Sequence, residues 1–66
     1  MKLFINGKEE TFNGLGTLHD LIVSKNLPEQ RIIVEVNGNL IKRDEWERTA
    51  LQEADRIEIL RFVGGG

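Results

Sequence analysis

The sequence predicts an α+β domain in which one helix packs on one face of a mixed sheet of about five strands. Short runs rich in β-branched and apolar residues alternate with turn signals. One further stretch has its apolar residues at helical spacing. A chain of 66 residues allows only one small domain. The single long helix cannot bury its apolar stripe alone, so the sheet must cover it.

The first half of the chain predicts a hairpin and then the helix. Residues 2–5 are strand-like, Asn6-Gly7 favours a tight turn, and the polar run 8–12 suits an edge strand. The helix is expected over residues 17–26, with Thr17 as its N-cap and Asp20 completing a capping box. It ends before Pro28, because the residue preceding a proline avoids helical geometry. Its apolar face consists of Leu18, Leu21 and Ile22.

The second half predicts three more strands. Residues 32–36 are β-branched, Asn37-Gly38 signals a second hairpin, and residues 40–41 form a short return strand. Residues 43–48 suggest a short helical turn, in which Trp46 is expected to close the core. The last strand is expected over residues 56–63.

The order of these elements predicts the β-grasp arrangement. The long connections place the first and last strands side by side and parallel in the middle of the sheet, with the strand at residue 32 on the other side of the last. The helix then covers an inner face of the sheet composed of Leu3, Ile5, Ile32, Val34, Val36, Ile57 and Ile59.

The same alternation sends other apolar side chains to the uncovered face of the sheet. We expect these to form one patch that docks a partner, since contiguous exposed apolar area usually marks an interaction site. Its members are Phe4, Ile33, Leu60 and Phe62.

The composition of the chain argues against several classes of function. The formal net charge of −2, with acids and bases interspersed, argues against nucleic acid as a partner. No stretch is long and apolar enough to span a membrane, so a cytoplasmic domain is expected. The chain has no cysteine and one histidine, His19, which we interpret as a surface residue, so no metal site and no pair of nucleophile and base can be argued.

The chain closes on three glycines, which predicts a domain over residues 1–63 and a flexible tail over 64–66. Glycine packs nothing, but it lets the backbone enter a narrow channel. Gly64 and Gly65 would supply that thin approach. The α-carboxylate of Gly66 would be the chemically distinctive group presented to a partner.

These features together carry a family resemblance over essentially the whole chain. The residues are Asn37-Gly38 before Leu40-Ile41, then Arg43-Asp44-Glu45-Trp46, Asp55-Arg56-Ile57-Glu58-Ile59, and the ending Phe62-Val63-Gly64-Gly65-Gly66. The chain resembles ThiS, the ubiquitin-like β-grasp family of sulfur carriers in thiamine biosynthesis. The resemblance implies that Gly66 is adenylated and then converted to a thiocarboxylate, which donates sulfur for thiazole formation.

The resemblance also implies partners. These are a ThiF-like adenylating enzyme that uses ATP and magnesium, a persulfide sulfur donor, and a ThiG-like thiazole synthase. The chain itself would be a protein substrate rather than an enzyme, would bind no cofactor, and would be a monomer when free. The small subunit of molybdopterin synthase, or another ubiquitin-like sulfur carrier, is the alternative within this class. A non-catalytic β-grasp interaction module is the alternative from another class.

Overall fold

Within the described residues, apolar and β-branched runs form four of the five strands, the polar run after the first turn forms the other, and the capped amphipathic stretch forms the one α-helix. The computed structural model describes residues 1–63. The predicted tail of residues 64–66 lies outside the described residues. In chain order the elements are β1 Lys2–Ile5, β2 Lys8–Thr11, α1 Leu18–Ser24, a 3-10 turn at Glu29–Arg31, β3 Ile32–Val36, β4 Asn39–Ile41, a second 3-10 turn at Arg43–Arg48 and β5 Arg56–Arg61.

The sheet has the order β2-β1-β5-β3-β4, with β1 and β5 parallel at its centre. The other neighbouring strands pair antiparallel. This is the predicted mixed sheet, and α1 packs across one face of it. No helix within residues 1–63 is long and apolar enough to cross a membrane.

The buried residues confirm, for nearly every strand, the prediction of which side chains face the helix and which face outward. All the predicted inner residues except Ile59 are buried, as are the three apolar residues of α1. Ile59 packs against the core from the inner face as predicted, but it is only partly buried. Trp46 is buried as expected, and its Nε1–H donates to the carbonyl of Ile41 at 3.0 Å. Leu51, which the sequence reading passed over, is also buried.

Both predicted hairpins turn at an Asn-Gly pair with positive φ angles. Asn6 and Gly7 have φ of 50° and 80°, and Asn37 and Gly38 have φ of 52° and 84°. Two consecutive positive φ angles give a turn whose twist matches that of the flanking strands. The turn residues Asn6 and Asn37 also bind β5 through their side chains, which the sequence reading did not anticipate.

The helix is shorter than predicted at its C-terminal end. It begins after Thr17, whose hydroxyl accepts from the backbone N–H of Asp20 at 3.2 Å, while the Asp20 carboxylate accepts from the N–H of Thr17 at 2.9 Å. This is the predicted capping box. The helix ends at Ser24 rather than Asn26, because Asn26 adopts a left-handed conformation with φ of 54°.

The last strand also ends early, at Arg61 rather than residue 63. One further backbone hydrogen bond continues its alignment with the chain before β3. The N–H of Phe62 donates to the carbonyl of Arg31 at 2.9 Å. Phe62 and Val63 therefore leave the sheet in line with β5, although they are outside the strand.

Truncation of the buried centre of β5 should be far more costly than truncation of its outer neighbours. Ile57 is fully buried, so Ile57→Ala should lower the free energy of unfolding by about 2–5 kcal/mol. Ile57→Val, at about 0.5–1.5 kcal/mol, keeps the test available if the alanine variant does not fold. Denaturant melts would measure both. Ile33→Ala, on the exposed face, is the matched control, and a loss there equal to that of Ile57→Ala would contradict the assignment of the two faces.

The capping box should make stability depend on pH in the acidic range. Hydrogen bonds from the N–H groups of Thr17 and Gly16 lower the pKa of Asp20 below its ordinary value. A lowered folded-state pKa contributes stability above the unfolded-state pKa, and that stability is lost as pH falls through the folded-state pKa. The difference in free energy of unfolding between the wild type and Asp20→Asn should therefore be widest near neutral pH and narrow under acid. Ser24→Ala, which removes an uncharged hydroxyl from α1, should give a difference that does not vary with pH.

Candidate functional surface at the C-terminal end of the sheet

Three of the four predicted patch residues lie together on the uncovered face. Ile33 in β3 is directly opposite Leu60 in β5, and their exposed fractions are 43% and 64%. Residues two apart on a strand share a face, so Phe62 continues this row toward the chain end. Its exposed fraction is 43%. In the sequence only Val63 stands between Phe62 and the three glycines.

Phe4 does not join them, and the prediction of one four-residue patch is wrong in this respect. The parallel register places Phe4 opposite Arg56, four residues before Leu60 and hence about 13 Å from it along β5. Alternation determines which face a side chain occupies, but only the strand register determines its position along that face. Glu58 lies between the two positions.

Cations cover the ring of Phe4 instead. The Arg56 guanidinium carbon lies 5.0 Å from the ring centroid, and Lys2 Nζ lies 5.8 Å from it. Both are within the range of a cation–π interaction. Phe4 is partly buried by these neighbours, and it presents a mixed, positively charged surface rather than an apolar one.

Leu40 belongs to the exposed apolar surface, although the sequence reading assigned it no face. It lies opposite Glu35 in the β3–β4 pair and is therefore diagonal to Ile33 on the same face, with 61% of its surface exposed. The Asn37-Gly38 turn fixes this register, so the pairing could have been worked out from the hairpin. We use the term outer apolar cluster for Ile33, Leu40, Leu60 and Phe62.

Two carboxylates flank the outer apolar cluster. Glu35 and Glu58 are directly opposite each other in the β3–β5 pair, and both are exposed. Like charges at directly opposed positions are unfavourable for the sheet. Their negative potential beside an apolar surface favours a partner that brings a basic group to this edge, which would steer association more than add affinity.

His19, Glu29 and Arg43 form a group of partly exposed polar contacts away from the outer apolar cluster. His19 Nε2 is 3.3 Å from a Glu29 oxygen, and Arg43 Nε is 3.5 Å from the other oxygen of that carboxylate. These contacts tie α1 to the two 3-10 turns. Within residues 1–63 there is no group of three or more His, Cys, Asp or Glu side chains placed to hold a metal ion.

Gly66, the residue predicted to carry sulfur, lies outside the described residues together with Gly64 and Gly65, so its role stays a prediction. The described chain does place Val63, the residue before the glycines, beyond the end of β5, with 91% of its surface exposed. The docking role of Phe4 and of the outer apolar cluster is likewise a prediction.

Comparison with known proteins decides the family. The model of the ThiS family matches residues 3–66. The chain belongs to the ThiS family. It is 38% identical to the sulfur carrier protein ThiS of Bacillus subtilis, over 97% of this chain and 98% of that one.

Solved structures of ThiS agree with the fold. The crystal structure of the thiamine biosynthesis protein ThiS from Geobacter metallireducens superposes with a TM-score of 0.83 at 30% identity, covering 100% of both chains. The predicted ubiquitin-like β-grasp architecture is thereby confirmed.

A second group of relatives is much longer than this chain. The chain is 32% identical to a thiazole synthase of Paramagnetospirillum magneticum over its whole length, but it spans only 20% of that protein. A thiazole synthase of Magnetococcus marinus gives the same identity and the same coverage. A ThiS-like unit therefore forms about a fifth of these thiazole synthases.

Proposed function

We propose that this chain is a sulfur carrier of thiamine biosynthesis and that Gly66 carries the sulfur as a C-terminal thiocarboxylate. The observation that carries the proposal is the family match, which extends through the glycine ending to residue 66. The nearly end-to-end similarity to the Bacillus subtilis sulfur carrier supports the same function.

The chemistry explains why such a carrier needs partner enzymes. A free α-carboxylate is ionised at neutral pH, with an ordinary pKa of about 3.3–3.7, and is a poor electrophile. ATP would convert it to an acyl-adenylate with release of pyrophosphate, on an activating enzyme of the ThiF type. A persulfide sulfur would then displace AMP, and cleavage of the resulting S–S bond by a second thiol would leave the thiocarboxylate.

The acceptor of the sulfur is proposed to be a thiazole synthase. Support comes from the thiazole synthases that contain a ThiS-like unit, since their covalent connection keeps the two parts at high effective concentration. Under this proposal the carrier supplies the terminal carboxylate and a docking surface. ATP, magnesium and the persulfide are handled by the partners, and the carrier is their substrate.

Sulfur loading should depend on the position of the terminal carboxylate and not on the stability of the domain. The chain is incubated with the activating enzyme, ATP, magnesium and a persulfide donor, and intact mass shows whether one oxygen is replaced by sulfur. Deletion of Gly66, or addition of one residue after it, should abolish loading and leave the thermal melt unchanged, because the glycines follow the last strand. Normal loading of the extended chain, with proteolysis back to Gly66 excluded by mass, would overturn the proposal.

The outer apolar cluster should contribute to docking on thiazole synthase. Leu60→Ala and Ile33→Ala should each weaken binding, by about 2 kcal/mol if the residue is a central anchor, while the free energy of unfolding changes far less. Phe4→Ala should weaken binding less, because its ring is separated from the cluster and flanked by cations.

Calorimetric titration and denaturant melts on the same purified variants measure the two effects. Val23→Ala is the matched control, since Val23 lies on α1 and 57% of its surface is exposed. If Leu60→Ala binds normally and loses several kcal/mol of stability, the cluster is structural and the docking role is wrong.

A further inference from the structure

The edge of β5 that faces β1 is paired only along its first part. The N–H of Phe4 donates to the carbonyl of Asp55 at 2.9 Å, and the N–H of Asn6 donates to the carbonyl of Ile57 at 2.8 Å. At the next position along β5, the Asn6 side chain makes the hydrogen bonds that the backbone of a neighbouring strand would otherwise make. Its Oδ1 accepts from the N–H of Ile59 at 2.7 Å, and its Nδ2 donates to the Ile59 carbonyl at 3.2 Å. The chain has by then turned away from β5, because β1 ends at Ile5.

Arg61 is the next residue whose backbone faces this side. The N–H of Phe62 points toward the chain just before β3, where it donates to the carbonyl of Arg31, so the backbone groups of Arg61 point the other way, and the same alternation places those of Val63 on that side. In the described part of the chain nothing pairs with Arg61 on that side. An unpaired strand edge of this kind is a template onto which another chain can add.

A groove lies beside this open edge, on the helix side of the sheet. Its volume is about 420 Å³, and Ile5, Leu27 and Ile59 supply its apolar surface. The side chain of Arg61 also lines it, which places the groove next to the open backbone. Ile59 is only partly buried, although it packs against the core.

The charge of this groove is mainly positive. Lys8, Lys25 and Arg61 line it together with one acid, Glu10, whose Oε1 is 2.9 Å from Lys25 Nζ. Among residues 1–63, neither Lys8 nor Arg61 has a carboxylate within salt-bridge distance. The groove therefore offers two cations to an incoming acidic group.

We propose that an extended segment of thiazole synthase adds to β5 at Arg61 and Val63 and that this segment carries an acidic side chain between Lys8 and Arg61. An apolar side chain two residues away on the segment would face the same groove and cover Ile59, because alternate residues of a strand share a face. The inference rests on the proposed function, since the open edge adjoins the glycine ending that thiazole synthase would receive.

A second copy of this chain is the less suitable occupant. Antiparallel pairing of two β5 ends would bring two basic grooves together, and the like charges would repel. An extended acidic segment would pair with the free backbone groups of β5 and also place a carboxylate near the cations of the groove.

Amide hydrogen exchange tests the backbone part of the proposal. Isotope-labelled chain is exchanged alone and in complex with unlabelled thiazole synthase, and the residues are then resolved by NMR. The N–H of Phe62 should exchange slowly in both samples, because it is already bonded. The N–H groups of Arg61 and Val63 should exchange fast in the free chain and at least about tenfold more slowly in the complex.

Charge reversal tests the groove. Lys8→Glu and Arg61→Glu should each lower the affinity for thiazole synthase by about tenfold or more, because the acidic group of the segment is then repelled. Arg48→Glu makes the same change of charge at an exposed residue of the second 3-10 turn, outside both the groove and the outer apolar cluster, and should lower the affinity far less. Denaturant melts verify that all three variants remain folded, and intact mass verifies that all three are loaded with sulfur.

The outcomes separate this inference from the proposed function. If the wild type is loaded and binds the synthase, but Arg61 exchange is unchanged or Arg61→Glu behaves like Arg48→Glu, the added-strand inference is wrong and the sulfur-carrier proposal stands. Slow exchange of Arg61 in the free chain would also overturn the inference, because the chain or a second copy would already cover the edge. A wild type that neither loads nor binds overturns both.

Discussion

The parallel pairing of β1 with β5 is the constraint on which the rest of this domain depends. Parallel neighbours cannot be joined by a tight turn, so the chain between them must cross over the sheet. That crossover contains α1, whose apolar residues then cover the inner face. The pairing also makes β5 a central strand, with β3 on its other side, so Phe62 and Val63 follow directly from the middle of the sheet.

A small hydrogen-bond network fixes where this central strand begins. The buried Asp55 carboxylate accepts from the Asn37 side chain at 2.9 Å and from the N–H of Gln52 at 2.8 Å. The Asn37 oxygen in turn accepts from the N–H of Arg56 at 3.0 Å. A buried carboxylate is stable only when its oxygens are bonded in this way. The network joins the second hairpin to the start of β5 and so sets the strand register that positions the outer apolar cluster.

Local patterns predicted most of the fold, because strand alternation and Asn-Gly turns act over a few residues. They gave the faces of Leu3, Val34 and Ile57 correctly. They could not give positions along the sheet, and for that reason Phe4 was placed in a patch that the parallel register excludes. The Asn6 side chain bonds the backbone N–H and carbonyl of Ile59, as a residue of a neighbouring strand would. This contact was not predicted, because it depends on a strand that is distant in sequence. The role proposed for the glycine ending came from the family resemblance, since no side-chain pattern in residues 1–63 predicts it.

The end of β5 is only partly covered within the described residues. β1, its partner on one side, ends at Ile5, and α1, which packs on the inner face, has only seven residues. The seven residues of α1 span about 10 Å, whereas the six residues of β5 span about 20 Å. β1 has already turned away at Asn6, and within residues 1–63 Ile59 is only partly buried and Arg61 is exposed. A longer helix or a longer first hairpin would bury more apolar surface and stabilise the domain. It would also cover more of the strand that precedes Phe62 and Val63. Within residues 1–63 the incomplete cover leaves Ile59 partly exposed on the inner face and Leu60 exposed on the outer face, which is the accessibility that the proposed docking on a partner requires.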